Sequence, residues 1–299
     1  MEVYNATLGM IVLDNKKVTF EEIMSYHKDN RIIFDSIAEN LNSIVPFVGA
    51  GLSAFAYPNW RMFLENVFDK LDWPEKSKYF IKELNEFRYE EAATFLKKER
   101  GIVNFYDDIR QAFTKEKLND ITIGIELHKQ AVYLLPMLFN GLILTTNFDK
   151  VLEHMYSLNN SNFSSVGHPG HKEMLNWALR SQNQRTLYKF HGDISEVGNL
   201  VLTKESYDQY YDIKSNLVKE LYLCFKQKNI LFLGCSLKND RTMTVLQNVL
   251  EDGIVNYAII DCESEKRREK LRELGDRGIR AILYPSGHHE SVRIILEDY

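Results

Sequence analysis

The sequence predicts an α/β fold with a doubly wound, mainly parallel, Rossmann-like sheet and an inserted helical subdomain. Short apolar runs alternate with helical patterns along much of the chain, which is typical of parallel strands buried on both faces. One long stretch, residues 59–140, shows helical periodicity and no convincing strand. The predicted strands cover residues 43–48, 142–146, 186–190, 200–203, 230–234, 256–261 and 279–284.

This alternation predicts three parts in the 299-residue chain. Residues 1–43 are expected to form an N-terminal helical extension, and residues 59–140 a helical insertion subdomain. Residues 44–58 and 141–299 together are expected to form the Rossmann-like core. Pro46 is the one misfit in the first predicted strand, because proline cannot donate a hydrogen bond to a neighbouring strand.

Composition and charge narrow the class of protein. The formal net charge is -5 and there is no long basic run, so nucleic acid is not expected as a partner. The sequence shows neither a secretory signal pattern nor an apolar stretch of membrane-spanning length. Its three cysteines, Cys224, Cys235 and Cys262, are widely spaced and form no C-x-x-C pair. We therefore expect a cytoplasmic protein with buried thiols and no structural zinc.

The sharpest local motif is VPFVGAGLSAF. Gly49, Gly51 and Ala54 satisfy the pattern G-x-G-x-x-A directly after an apolar strand, which favours binding of a nucleotide phosphate. A dehydrogenase with this motif would also carry an acidic residue about 20 residues later, at the end of its second strand. Here the helical insertion begins at Trp60 instead, which argues against hydride transfer.

A second predicted strand ends in polar side chains. The segment LILTTNFDK places Thr146, Asn147 and Asp149 after a buried strand, where ligands bind in open α/β sheets. Asn147 could orient a ribose hydroxyl or a water molecule, and Asp149 could hold a ribose hydroxyl or favour developing positive charge. The alternative is that one of them caps the helix that begins near Lys150.

His191, in LYKFHGDIS, follows another strand and is the candidate proton acceptor. The alternative is a packed, hydrogen-bonded structural histidine. Gly234 and Ser236, in ILFLGCSLKND, form a strand-end turn of the same type. Tyr207 could stack on a ligand or simply pack in the core.

Other histidines are expected to play minor roles. His168 and His171, in GHPGH, have no evident third ligand and are interpreted as a solvated loop. His288 and His289 are interpreted as capping or packing residues.

Taken in order, GAGLS, TTNFD, FHG, FLGCS and YAIID resemble the NAD-binding motifs of sirtuins. They more closely resemble the bacterial sirtuin-like NADases of antiphage defence, the group that includes the Thoeris effectors. The resemblance spans roughly residues 44–298. It implies Asn147 and His191 as catalytic residues. The implied cofactor-binding residues are Gly49, Ala50, Gly51, Ser53, Thr146, Asp149, Gly234 and Ser236.

Within that set, the resemblance implies phosphate contacts for Gly49, Ala50, Gly51 and Ser53. It implies nicotinamide-ribose contacts for Asn147 and Asp149. It implies that His191 is the base, and that Gly234 and Ser236 face the adenosine side. Deacetylase sirtuins carry four zinc-binding cysteines after the histidine motif, which this sequence lacks. That difference favours water over a peptide amide as the acceptor.

The implied function is an NAD glycohydrolase that depletes NAD during antiphage defence, with NAD as its substrate and no zinc. Cleavage of the nicotinamide–ribose bond has oxocarbenium character, so one base and good positioning could suffice. Homo-oligomerisation and an activating sensor protein, domain or signalling nucleotide are expected. A non-catalytic module that senses NAD or an ADP-ribose derivative and a zinc-free deacylase remain alternatives. The sequence leaves open the trigger, the oligomeric state, a sensor domain after Tyr299, and hydrolysis versus cyclisation.

Overall fold

A seven-stranded parallel sheet forms the centre of the protein. The structure is a computed structural model that describes residues 18–71, 73, 77–114, 118–120, 126–181, 184–237, 241–248 and 254–299. Its strands are β1 (Val45–Val48), β2 (Leu142–Thr145), β3 (Ser165–Gly167), β4 (Thr186–Lys189), β5 (Ile230–Leu233), β6 (Asn256–Cys262) and β7 (Ile279–Pro285).

The strand order is β3-β4-β2-β1-β5-β6-β7, which confirms the predicted doubly wound α/β fold. From β1 the chain first builds one half of the sheet, through β2, β3 and β4. It then crosses to the other side of β1 and builds β5, β6 and β7. The order therefore reverses between β1 and β5, and ligands of such sheets bind at the carboxyl ends of the strands beside this reversal.

Pro46 lies in β1 even though this strand is central. The backbone N–H groups of Val45 and Gly49 donate to carbonyl groups on the β5 side, at 2.9 and 2.8 Å. Because N–H directions alternate along a strand, the nitrogen of Pro46 faces β2. The register with β2 begins only at Phe47. The proline thus lies where the sheet requires no donor from it.

Helices cover the sheet and fill the interval between β1 and β2. They are α1 (Phe20–Tyr26), α2 (Asn30–Asn40), α3 (Trp60–Asp69), α4 (Ser77–Asn85), α5 (Tyr89–Arg100), α6 (Ile102–Ala112), α7 (Leu135–Leu138), α8 (Val151–Leu158), α9 (Lys172–Arg180), α10 (Lys204–Tyr210), α11 (Asn216–Gln227), α12 (Arg241–Gln247), α13 (Arg267–Gly275) and α14 (Glu290–Glu297). Among the helices that the structure describes, none combines the length and the apolar character needed to cross a membrane.

The described part of residues 59–140 is helical and contains no strand, as the periodicity predicts. Its buried side chains, such as Leu64 and Leu96, belong to the same apolar cluster as Ile143 in the sheet. Pro136 lies in the first turn of α7, where its missing N–H has no helical partner to lose. The division of the chain into a core and a separate insertion subdomain stays a prediction.

The N-terminal helices α1 and α2 pack against β7. The Thr19 side chain and Glu22 form a capping box that starts α1. Asn30, at the start of α2, is buried and exchanges two hydrogen bonds with the backbone of Leu283, at 2.8 and 3.1 Å. This side chain fixes the N-terminal helices to the sheet.

The sheet departs from the sequence prediction at two places. Residues 200–203 are not a strand: Thr203 caps α10 through the N–H of Ser206, and the Val201 N–H donates to the carbonyl of His191 at 3.1 Å. Local capping therefore outweighs the apolar character of this run. The edge strand β3 was not predicted, because it has only three residues and its Val166 is exposed.

Candidate active site

A cavity of about 950 Å³ opens at the carboxyl ends of β1, β2, β4 and β5. It lies beside the point where the strand order reverses. The structure brings all ten sequence-predicted site residues to its wall. They are Gly49, Ala50, Gly51, Ser53, Thr146, Asn147, Asp149, His191, Gly234 and Ser236.

The glycine turn after β1 packs directly against the turn after β5. The N–H of Gly51 donates to the Gly234 carbonyl at 2.9 Å, and a Cβ on Gly51 would lie 2.9 Å from that same oxygen. Gly234 itself has a φ of 65°. A side chain at Gly51 would thus meet the neighbouring backbone. The motif itself continues into a 3₁₀ turn, Ala50–Ser53.

The contact between these turns makes Gly49 intolerant of a side chain. A Cβ there would lie 2.5 Å from the Gly234 carbonyl oxygen and 2.7 Å from Cys235 Sγ. We expect Gly49→Ala to reduce the free energy of unfolding by about 1–3 kcal/mol, through overpacking. Chemical denaturation measures this loss, and Gly198→Ala is the control because no atom lies within 4 Å of its added Cβ. If the two substitutions reduce the free energy of unfolding equally, Gly49 is not intolerant of a side chain.

Asn147 is held across the cavity floor by side-chain hydrogen bonds. Its Nδ2 donates to Ser53 Oγ at 3.2 Å, which joins the turn after β2 to the turn after β1. Its backbone N–H donates to Thr145 Oγ1 at 2.9 Å, and that hydroxyl donates to the Val48 carbonyl at 2.7 Å. All of these groups are buried, so the Asn147 amide has a fixed orientation beside the phosphate-binding candidates.

Asp149 lies just before α8, whose N-cap position is Lys150. Its Oδ1 accepts the Val151 N–H at 2.9 Å, so the side chain bonds the first N–H of the helix from the position before the N-cap. Burial raises the pKa of Asp149, while the Val151 N–H and the charge of Lys189 act in the opposite direction. Asp149 also lines the cavity, and its contact with a ribose stays a prediction.

His191 is buried at the end of β4. Its Nε2 is hydrogen-bonded to the Tyr211 hydroxyl at 2.8 Å. Burial lowers the pKa of His191 to about 3, because it disfavours the charged form, so the imidazole is neutral at neutral pH. Tyr207 contacts the imidazole edge-on, with ring centroids 5.4 Å apart, and also lines the cavity.

Several lining residues were missed because they come from distant segments. Trp60, from α3, contacts Phe148 beside Asn147 with ring centroids 5.8 Å apart. Arg241, at the start of α12, donates to Glu90 of α5 and to Asp208 of α10, each at 2.8 Å. No local motif marks these residues, because only the tertiary fold brings them to the cavity.

The histidines that were predicted to have minor roles lie in two different parts of the structure. His289, interpreted as a capping or packing residue, lines the cavity and lies 3.3 Å from the Tyr284 hydroxyl through its Nδ1. His168 and His171 lie in the turn between β3 and α9, with ring centroids 4.3 Å apart. Within the described residues, no group of three or more His, Cys, Asp or Glu could hold a metal ion. The expectation that no zinc is bound stays a prediction.

A buried ion network supports the turns that carry Asn147 and His191. Lys189 Nζ donates to the Asp149 carbonyl at 2.6 Å and to carboxylate oxygens of Glu153 and Asp193, both at 2.8 Å. Its side chain is 1% exposed. Burial alone would raise the pKa of Asp193, but Lys189, Lys150 and Ser195 hold it well below its usual value. The network therefore connects the turn after β2, which carries Asn147, to the turn after β4, which carries His191.

Comparison with known proteins agrees with this geometry. Residues 141–282 match the SIR2-like domain. Over 276 residues the chain is 24% identical to the NAD(+) hydrolase ThsA of Cytobacillus dafuensis, an alignment that covers 89% of this chain and 48% of the relative. The chain thus spans about half the length of that relative. These matches confirm the predicted resemblance to sirtuin-like NADases.

Proposed function

We propose that the chain is an NAD glycohydrolase that cleaves NAD to nicotinamide and ADP-ribose. The observation that carries the proposal is the convergence of ten residues, predicted from separate strand ends, on one cavity of about 950 Å³. A cavity of this size is suited to a ligand as large as a dinucleotide. The similarity to a NAD(+) hydrolase supports the same substrate.

The proposed chemistry divides between the two halves of the cavity. The turns after β1 and β5 would hold the pyrophosphate, as such turns do in dinucleotide-binding folds. Asn147, oriented by Ser53, would position the nicotinamide ribose and the attacking water. His191, neutral because it is buried, would accept a proton from a ribose hydroxyl or from that water. The leaving nicotinamide is neutral and needs no protonation.

The proposed biological role is that of an NAD-depleting effector in bacterial antiphage defence. An enzyme that consumed NAD without control would harm its own cell. We therefore include in the proposal a homo-oligomeric assembly and an activating sensor protein, domain or signalling nucleotide. The resemblance of the ordered motifs to antiphage NADases supports this part of the proposal.

The proposed activity is tested by incubating the purified chain with NAD and separating the products by chromatography. We expect free nicotinamide to appear together with an equal amount of ADP-ribose. Candidate signalling nucleotides are added in parallel reactions, so that an activator-dependent enzyme is also detected. If a cyclic product appears in place of ADP-ribose, the reaction is a cyclisation and not a hydrolysis. Binding of NAD without nicotinamide release under any of these conditions would favour the non-catalytic sensing module.

A further inference from the structure

A short hydrogen-bonded chain leads from His191 away from the proposed reaction. His191 Nε2 lies 2.8 Å from the Tyr211 hydroxyl, and that hydroxyl lies 2.6 Å from Thr242 Oγ1. The three residues come from the turn after β4, the turn after α10, and helix α12. The chain of hydrogen bonds therefore ties the candidate base to the end of α10 and to Thr242, which lines the cavity.

Packing holds the Tyr211 ring in place independently of its hydroxyl. The ring stacks on Tyr207, with centroids 5.5 Å apart and an interplanar angle of 16°. Tyr207 in turn meets the edge of His191. A phenylalanine at position 211 can keep these ring contacts while it loses the hydrogen bonds, so the contribution of the hydroxyl can be isolated.

The hydrogen bonds also constrain the proton on the imidazole. A neutral imidazole carries one N–H, and its other nitrogen is the one that accepts a proton. Because Nε2 is bonded to Tyr211, Nδ1 is the nitrogen left to act as a base. Nε2 must then carry the hydrogen and donate it to Tyr211. The Tyr211 O–H is in that case directed to Thr242, and both observed contacts are satisfied.

We propose that Tyr211 is a positioning residue that holds His191 in the Nε2–H tautomer, with Nδ1 as the proton acceptor. This inference rests on the proposed NAD glycohydrolase function. In the transfer, an O–H bond of the ribose or of the attacking water breaks and its electron pair stays on oxygen, while the proton bonds to Nδ1. The imidazolium that forms donates from Nε2 to the Tyr211 oxygen, much as a carboxylate supports the histidine of a catalytic triad.

Tyr211→Phe tests the role of the hydroxyl in turnover. We expect the kcat for nicotinamide release to fall about 10- to 100-fold while the KM for NAD stays nearly unchanged, because only the orientation of the base is lost. Tyr210→Phe is the matched control, since Tyr210 is the neighbouring tyrosine and lines a separate, smaller cavity. It should retain the wild-type kcat. A wild-type kcat in Tyr211→Phe would overturn the proposal.

The tautomer is measured directly by NMR of protein labelled with ¹⁵N in its eight histidines. The His191 signals are identified by their loss in His191→Ala. We expect an Nε2–H imidazole in wild type and a mixture of tautomers in Tyr211→Phe. An Nδ1–H imidazole in wild type, or an unchanged spectrum in the variant, would overturn the proposal. This measurement needs no turnover, so it decides the role of Tyr211 even if the chain proves not to release nicotinamide.

Discussion

His191→Ala should lower the rate of nicotinamide release about 10²- to 10⁴-fold, the usual contribution of a positioned general base. The fold and most of the NAD affinity should persist, because in the proposed mechanism binding is spread over the turns after β1, β2 and β5 and the imidazole serves only the chemical step. The assay follows nicotinamide at saturating NAD, in the presence of an activator if wild type requires one. NAD affinity is measured separately by calorimetry.

His171→Ala is the matched control for this substitution, because it removes an exposed imidazole from the turn between β3 and α9. Its rate should equal that of wild type. Asn147→Ala should resemble His191→Ala, since loss of the amide held by Ser53 misplaces the ribose and the water even when the base is present. If His191→Ala and activated wild type release nicotinamide equally fast, His191 is not the base and the proposed mechanism is wrong.

Most of the fold could be predicted because buried parallel strands carry a strong local signal. Several of the runs that became β1, β2, β4, β5, β6 and β7 are nearly continuously apolar, and helices separate most of them. The same criterion failed for residues 200–203, where Thr203 caps a helix and the apolar side chains pack without forming a strand. It missed β3 because an edge strand of three residues has too few buried side chains to stand out.

The site could be predicted where it follows directly from strand ends. Each of the ten residues occupies a turn after an apolar run, and in a parallel sheet those turns meet at one edge. The packing role of Gly51 could not be predicted, because the contact that excludes a side chain comes from Gly234, which is far away in sequence. Tyr211 and Arg241 were missed for the same reason. Their partners, His191 and Glu90, lie on other elements.

Lys189→Met should reduce the free energy of unfolding by about 3–5 kcal/mol, as expected when one partner of a buried ion pair is removed. Methionine has nearly the length of lysine, so the change mainly removes the charge. It leaves the carboxylates of Glu153 and Asp193 and the carbonyl of Asp149 without this donor. Chemical denaturation measures the loss. Lys204→Met is the matched control, because it removes an exposed pair with Asp208, and exposed pairs contribute little.

A double-mutant cycle with Asp193→Asn shows whether the loss comes from the ion pair. Removing the carboxylate as well should recover part of the stability, with a coupling energy of about 1 kcal/mol or more.

The loss of unfolding free energy in Lys189→Met should also become smaller at acidic pH. The folded-state pKa of Asp193 lies below its usual value, so the pair stabilises the fold at neutral pH. Its contribution should decline only as the pH falls below the unfolded value of about 3.9. A loss in Lys189→Met no larger than in Lys204→Met would show that the network does not stabilise the turns carrying Asn147 and His191.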